Sequence, residues 1–231
     1  MDIKYGIADA SFKLITGNSR YCKVDHIFNN NSIELVAGRR DWTAFQVIVQ
    51  AKEDYSVNIS HTPWFSQKGQ ILNLRFKTNA LLPVKMNLVG MVEDNDLLRK
   101  ADVLLSQKVI EVSKNTPQAI WVEITVPETA KPGKYSGSIS IYQNRMFQKE
   151  EKVGELIFNV EVKNFVMPKA QDYKFHLDLW QHLSNIARKH EVELWSEKHF
   201  YIIENYVKSL TELGQKAITI IASEIPWRGQ S

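Results

Sequence analysis

The residues best placed to do chemistry lie late in the chain. From Phe175 to Trp180 two faces alternate: Phe175, Leu177 and Leu179 on one side, His176, Asp178 and Trp180 on the other. Gln181 and His182 follow, and a second cluster, Glu224, Pro226 and Trp227, closes the sequence. A carboxylate that faces a core must be paired or hydrogen-bonded. An indole offers a flat apolar face with one N–H donor. Such rings suit the apolar faces of sugars, while Asp, Gln and His suit their hydroxyls. Asp178, Trp180, His182 and Trp227 are therefore the candidate substrate-binding residues. The plainer alternative makes the tryptophans core plugs and loop anchors and Asp178 a structural acceptor. Trp195 is already explained by helix packing, and His199, in a helix's first turn, is expected at the surface. Asp178 and Glu224 end adjacent expected strands and could approach one another, but nothing in their spacing makes them an acid and base pair.

Other chemistries lack their motifs. There is no HExxH, no paired cysteine and no acidic calcium loop, so no metal is expected. No glycine-rich phosphate loop and no GxSxG elbow occur. Cys22 is the only cysteine and has no base signal beside it. No cofactor and no catalytic residue can be assigned within the chain.

The elements that position these candidates read as strand, helix, strand. Tyr173–Trp180 is the first strand and Ala217–Ser223, rich in β-branched residues, the second. Between them Ser196 caps a helix running to Leu213, with Glu197 in its first turn. Trp195 and Phe200 have the spacing of a hydrophobic staple, and Phe200, Ile203, Val207, Leu210 and Leu213 form an apolar stripe before Gly214. A buried stripe would make Phe200→Ala cost a few kcal/mol. The connection from Gln181 to Trp195 is long for a βα loop. This is the grammar of a parallel barrel, in which Asp178 and Trp180 would face the axis, but one repeat and a strand cannot close a fold of eight. An unclosed sheet edge and an uncovered helix face would leave the piece open to self-association.

The residues before them read differently. Period-two alternation and turn signals run from the start to about Asn164. Ser32–Ala37, Thr43–Ala51, Tyr55–Ser60, Ile71–Lys77, Val84–Val92 and Ile120–Val126 are expected strands. Trp121 stands opposite Ile120, Val122, Ile124 and Val126, which implies a strand covered on both faces. Lys131-Pro132-Gly133 opens a long hairpin. Gly137 inside its first strand marks a bulge or a close approach. Its second strand, Lys152–Asn164, turns Val153, Leu156, Phe158, Val160 and Val162 inward with a slip near Gly154. Asn95–Ser106 has near-helical leucine spacing and reads as a short helix or an irregular crossover. The fold class is thus multidomain, β plus α/β. An antiparallel β-sandwich (1–166) joins, through a linker at Phe165–Asp172, to the start of a (β/α)8 TIM barrel (167–231), truncated.

Composition bounds the partners. Basic and acidic side chains number 29 and 26 and are interspersed, so no nucleic-acid groove is expected. No apolar run approaches membrane-spanning length, and no signal peptide opens the chain, so a cytoplasmic, membrane-free protein is expected.

The run FHLDLWQHLSNIARKHEVELWSEKHF, followed by LGQKAITI and EIPWRGQ, resembles bacterial proteins of the glycoside hydrolase family 123 type. GRRDWTAFQVIV and KPGKYSGSISI extend the likeness into the sandwich half. The resemblance implies an N-terminal β-sandwich followed by a (β/α)8 barrel, and activity as a β-N-acetylgalactosaminidase or relative. It implies retaining hydrolysis in which the substrate's acetamido group is the nucleophile, an Asp orients that group, and a Glu is general acid/base. Nothing in 1–231 matches that Asp–Glu pair. The expectation is the N-terminal portion of a glycosidase acting on N-acetylhexosaminides, inactive alone, with its catalytic pair downstream of residue 231. Asp178, Trp180, His182 and Trp227 would line the pocket for a carbohydrate substrate. The alternative is a non-catalytic carbohydrate-binding or structural β-sandwich.

Overall fold

The computed structural model describes residues 3–17, 22–85, 99–144 and 149–219. It separates into two compact units, Met1–Met167 and Pro168–Ser231.

The first unit is built of strands: β1 (Ile3–Asp9), β2 (Ile15–Thr16), β3 (Ser32–Arg39), β4 (Asp41–Ala51), β5 (Tyr55–His61), β6 (Trp64–Ser66), β7 (Ile71–Leu72), β8 (Arg75–Lys85), β9 (Arg99–Leu105), β10 (Ile110–Val112), β11 (Gln118–Val126), β12 (Gly133–Asn144) and β13 (Glu151–Val166). One sheet runs β1-β4-β11-β8-β9-β2 and the other β10-β5-β12-β13-β3, with β6 beside β12 and β7 beside β6. Most neighbours are antiparallel, as expected. The exception is β3, which lies parallel to β13 (Ile157 opposite Ser32, Val162 opposite Ala37). A parallel pair needs a crossover rather than a tight turn, and here the intervening strands supply it.

The core lies between the sheets. Phe45, Val47 and Val49 of β4 and Ile120, Val122, Ile124 and Val126 of β11 are all at 0% exposure. Tyr135, Ile139 and Ile141 of β12 and Leu156, Phe158, Val160 and Val162 of β13 are buried in the same cluster. The rings of Phe45 and Phe158 meet at 6.0 Å. Each such side chain contributes roughly 1.5–3 kcal/mol by leaving water. The expected slip near Gly154 is present as a register shift at Ile141/Tyr142. Gly137 is a close approach: a Cβ there would stand 2.0 Å from Trp64 Cδ1. A second, smaller core covers the back of the first sheet, where Leu14, Val24 and Ile27 pack on Ile48, Leu81, Ala101 and Ala119 beside Trp121. β11 is therefore covered on both faces.

One strand expectation changes: Ile71–Lys77 is broken into β7 and the start of β8. Of Val84–Val92, Val84 and Lys85 are strand, in β8, and residues 86–92 lie outside the described residues. The helix-or-crossover reading of Asn95–Ser106 is corrected. Residues 95–98 lie outside the described residues, and Arg99–Leu105 is strand β9, laddered on β8 with a register shift at Leu82/Pro83. Leucine spacing could not exclude a strand, and the free edge of β8 decided it.

In the second unit, α1 (Leu183–His190) and α2 (Glu197–Glu212) are the α-helices among the described residues. The Ser196 side chain accepts the His199 N–H, so α2 starts on the expected cap. The long connection before it is α1. The two strands expected to open a barrel are not formed among the described residues. Residues 173–180 carry no ladder, nor do 217–219, and 220–223 lie outside the described residues. A strand is defined by a hydrogen-bonded neighbour, and at Tyr173 and Leu179 side chains take that place. The apolar stripe of α2 is also less covered than expected. Phe200 is 54% and Leu213 57% exposed, so Phe200→Ala removes little buried surface, and the cost of a few kcal/mol expected from a buried stripe does not apply.

Candidate functional site

The segment 173–180 is held against 214–219 by side chains. Gln215, 6% exposed, uses its carboxamide as a strand neighbour uses a peptide group. Its Oε1 accepts the Leu179 N–H at 3.3 Å, and its Nε2 donates to the Leu179 C=O at 3.3 Å and the Ala217 C=O at 2.6 Å. Lys216 Nζ donates to the Tyr173 C=O. Gly214, at φ +96°, lets this turn pass under the Tyr173 ring. A side chain at 214 would be strained twice over, by backbone and by contact.

Asp178 sits within this arrangement, half-buried. Thr219 Oγ1 lies 3.0 Å from each of its carboxylate oxygens. One hydroxyl proton shared between two oxygens leaves the carboxylate with acceptor capacity to spare. Trp180 is 80% exposed, an indole with its faces open. His182 is exposed and takes the N-cap position of α1 without a side-chain capping bond. Trp227 and Glu224 lie outside the described residues. Asp178 and Trp180 are thus close through the chain itself. No described contact joins them to His182.

His199, expected at the surface, is wholly buried. Its Nδ1 accepts the Trp195 backbone N–H at 3.0 Å, and its Nε2 lies 2.9 Å from the Leu183 C=O. A ring nitrogen that accepts carries no proton, so the proton sits on Nε2, which donates to Leu183. The ring therefore ties the first turn of α1 to that of α2, below the backbone at Trp195, where φ is +62°. The signal was available: His199 lies four residues before Ile203 and eight before Val207, on the same helical face. The rings of Trp195 and Phe200 do approach, at 6.0 Å, as a staple requires.

Elsewhere, an open groove of about 490 Å³ on the first unit is lined by Ile3, Lys4, Tyr5, Asp25, Phe28, Asn29 and Asn31. Lys4 Nζ stands 5.7 Å from the Phe28 ring centre and 3.6 Å from Asp25. Among the described residues no three His, Cys, Asp or Glu side chains gather as metal ligands. No helix among them is long and apolar enough to cross a membrane.

A two-sheet β unit thus precedes a helical unit that carries a polar, partly open segment. Residues 16–143 match the model of the glycoside hydrolase 123 N-terminal domain, and residues 180–231 match that of the glycoside hydrolase 123 catalytic domain. The chain belongs to glycoside hydrolase family 123. Its fold is similar to a family 123 glycoside hydrolase from Clostridium perfringens, whose structure was described for glycolipid glycan hydrolysis. The TM-score is 0.73 and the identity 20%, over 94% of this chain and 37% of that one. The chain thus spans well under half of that protein's length. Weaker likenesses are to the CooA pilin subunit from enterotoxigenic Escherichia coli (TM-score 0.35, 13% identity, 69% of this chain and 99% of that one). Another is to the N-terminal domain of PorA (TM-score 0.36, 14% identity, 66% and 98%). No curated protein matches the sequence.

Proposed function

We propose that this chain forms the sandwich and the opening of the catalytic barrel of a glycoside hydrolase acting on N-acetylhexosaminides, with the catalytic Asp–Glu pair beyond residue 231. The domain division is taken at 1–166 and 167–231. In this reading Asp178, Trp180, His182 and Trp227 line the sugar pocket. Trp180 offers a stacking face, and Asp178, oriented by Thr219, accepts from a sugar hydroxyl. The observation that carries the reading is that Trp180, 80% exposed beside a half-buried carboxylate, is the residue at which the catalytic-domain match begins. The uncovered stripe of α2 also supports it, since a barrel helix packs on neighbours that two helices alone do not supply.

The test is turnover of aryl N-acetylgalactosaminide and N-acetylglucosaminide by the gene product extended past Ser231, beside the chain 1–231. Turnover by the extended protein alone is expected, with Trp180→Ala raising KM about tenfold through loss of one stacking contact. An extended protein inert on both substrates defeats the substrate reading, and turnover by 1–231 defeats the placement of the catalytic pair.

The second reading, a carbohydrate-binding sandwich, is favoured only by the groove at Tyr5 and Phe28. There Lys4 already occupies the face of Phe28, so the groove ranks below the site at Trp180.

A further inference from the structure

The corner between the two sheets bears on how the polypeptide leaves the sandwich. β3 belongs to one sheet and β4 to the other, and the single residue between them is Arg40, at φ +54°. That left-handed conformation favours glycine. An arginine kept there points to work done by its side chain. Its Nη1 donates to the Met167 C=O at 3.0 Å, and its Nη2 pairs with Glu128 at 2.5 Å. The Arg39 C=O accepts the Met167 N–H at 2.8 Å. Gly38 lies so close under Phe165 that a Cβ would stand 2.3 Å from its ring. Asp41 closes the corner by accepting the Gly38 N–H at 2.8 Å. Four consecutive residues, Gly38 to Asp41, therefore hold Phe165 and both polar groups of Met167. This comes just after β13 loses register between Val162 and Val166. The boundary of the first compact unit falls at Met167. Pro168 follows, with a fixed φ that also restricts Met167 to extended backbone.

We propose that Arg40, braced by Glu128, clamps the last peptide of the first unit, at Met167, to the corner between β3 and β4. The planar guanidinium suits the task because it binds a carbonyl and a carboxylate with different nitrogens at once. A lysine ammonium has no such fork.

The experiment uses the whole chain and the variants Arg40→Gly, Arg40→Lys and Glu128→Gln. Arg40→Gly separates the corner from the clamp, since glycine suits the backbone while removing the guanidinium. Hydrogen exchange at Met167 and tryptic cleavage after Lys169 report the exit, and exchange at Val47 of β4 and Ile120 of β11 reports the core. Expected is about tenfold faster exchange and cleavage in Arg40→Gly, the loss of one charge-assisted hydrogen bond. Arg40→Lys and Glu128→Gln should fall in between, with core exchange unchanged in all three. Unchanged exchange at Met167 in Arg40→Gly and Glu128→Gln overturns the clamp. Equal acceleration at Met167 and in the core also overturns it, by showing a role in global stability instead.

Discussion

At the scale of single residues, stability rests on a few positions with closely fitted surroundings. His199 is one. Replacing it with alanine leaves the Trp195 N–H and the Leu183 C=O without their partners and opens a cavity. The loss should be about 2–4 kcal/mol in the second unit, read as a lower unfolding midpoint with faster exchange at the Trp195 amide. Gly137 is another. Alanine there collides with the Trp64 ring, and Trp64, 1% exposed, has nowhere to go. About 3 kcal/mol of destabilisation in urea unfolding is expected. Asp9 gives a pH signature. The Ser11 hydroxyl and then the Ser11 N–H donate to its carboxylate and hold it below its ordinary pKa. A depressed folded-state pKa contributes stability above the unfolded value, and that stability is lost as pH falls through the folded one. Asp9 is exposed, so the contribution is small. A carbon-detected NMR titration should place Asp9 low, and Ser11→Ala should return it toward the ordinary aspartate range.

At the scale of elements, the helices and the strand edges behave differently. α2 is set by local signals, a serine cap and a 3–4 apolar period. Ser196→Ala removes the acceptor for the His199 N–H and should cost about 1 kcal/mol, read as earlier loss of helical circular dichroism on heating. Phe200→Ala should cost less than that, because its ring is already half in water. The segment 173–180 is set by its surroundings instead. Its backbone is held at Leu179 by Gln215 and at Tyr173 by Lys216, so Gln215→Ala should release it, seen as rapid exchange at Leu179. Whether such a segment ladders depends on a neighbour being present, which no local pattern encodes. β9 makes the same point in reverse. A leucine-rich stretch with helical spacing became a strand because β8 offered an edge.

At the scale of the whole molecule, neither hydrophobic core cluster contains, among the described residues, one beyond Val162. The sandwich therefore carries its own stability, and the second unit, with Ile186 and Ala187 as its buried apolar side chains among the described residues, carries little. Calorimetry should show two transitions, the smaller and earlier from the helical unit. In the extended protein the early transition should rise toward the main one, because covering the stripe of α2 removes apolar surface from water.

The amino-acid sequence alone determined what depends on neighbours within a few residues. It set the alternation that makes most of the sandwich strands and the cap and period of α2, and it narrowed Gly137 to a bulge or a close approach. The family was legible too, because its motifs are runs of consecutive residues. The tertiary structure alone decided what depends on partners far along the chain. Such are the parallel pairing of β3 with β13, the strand at Arg99–Leu105, the burial of His199 and the hold of Arg40 on Met167. Around Asp178 and Trp180 the residue types were legible, but not that Thr219 and Gln215 would supply the bonds. Periodicity is a property of one segment, whereas a ladder or a buried side chain is a relation between two, and only folding brings the second one near.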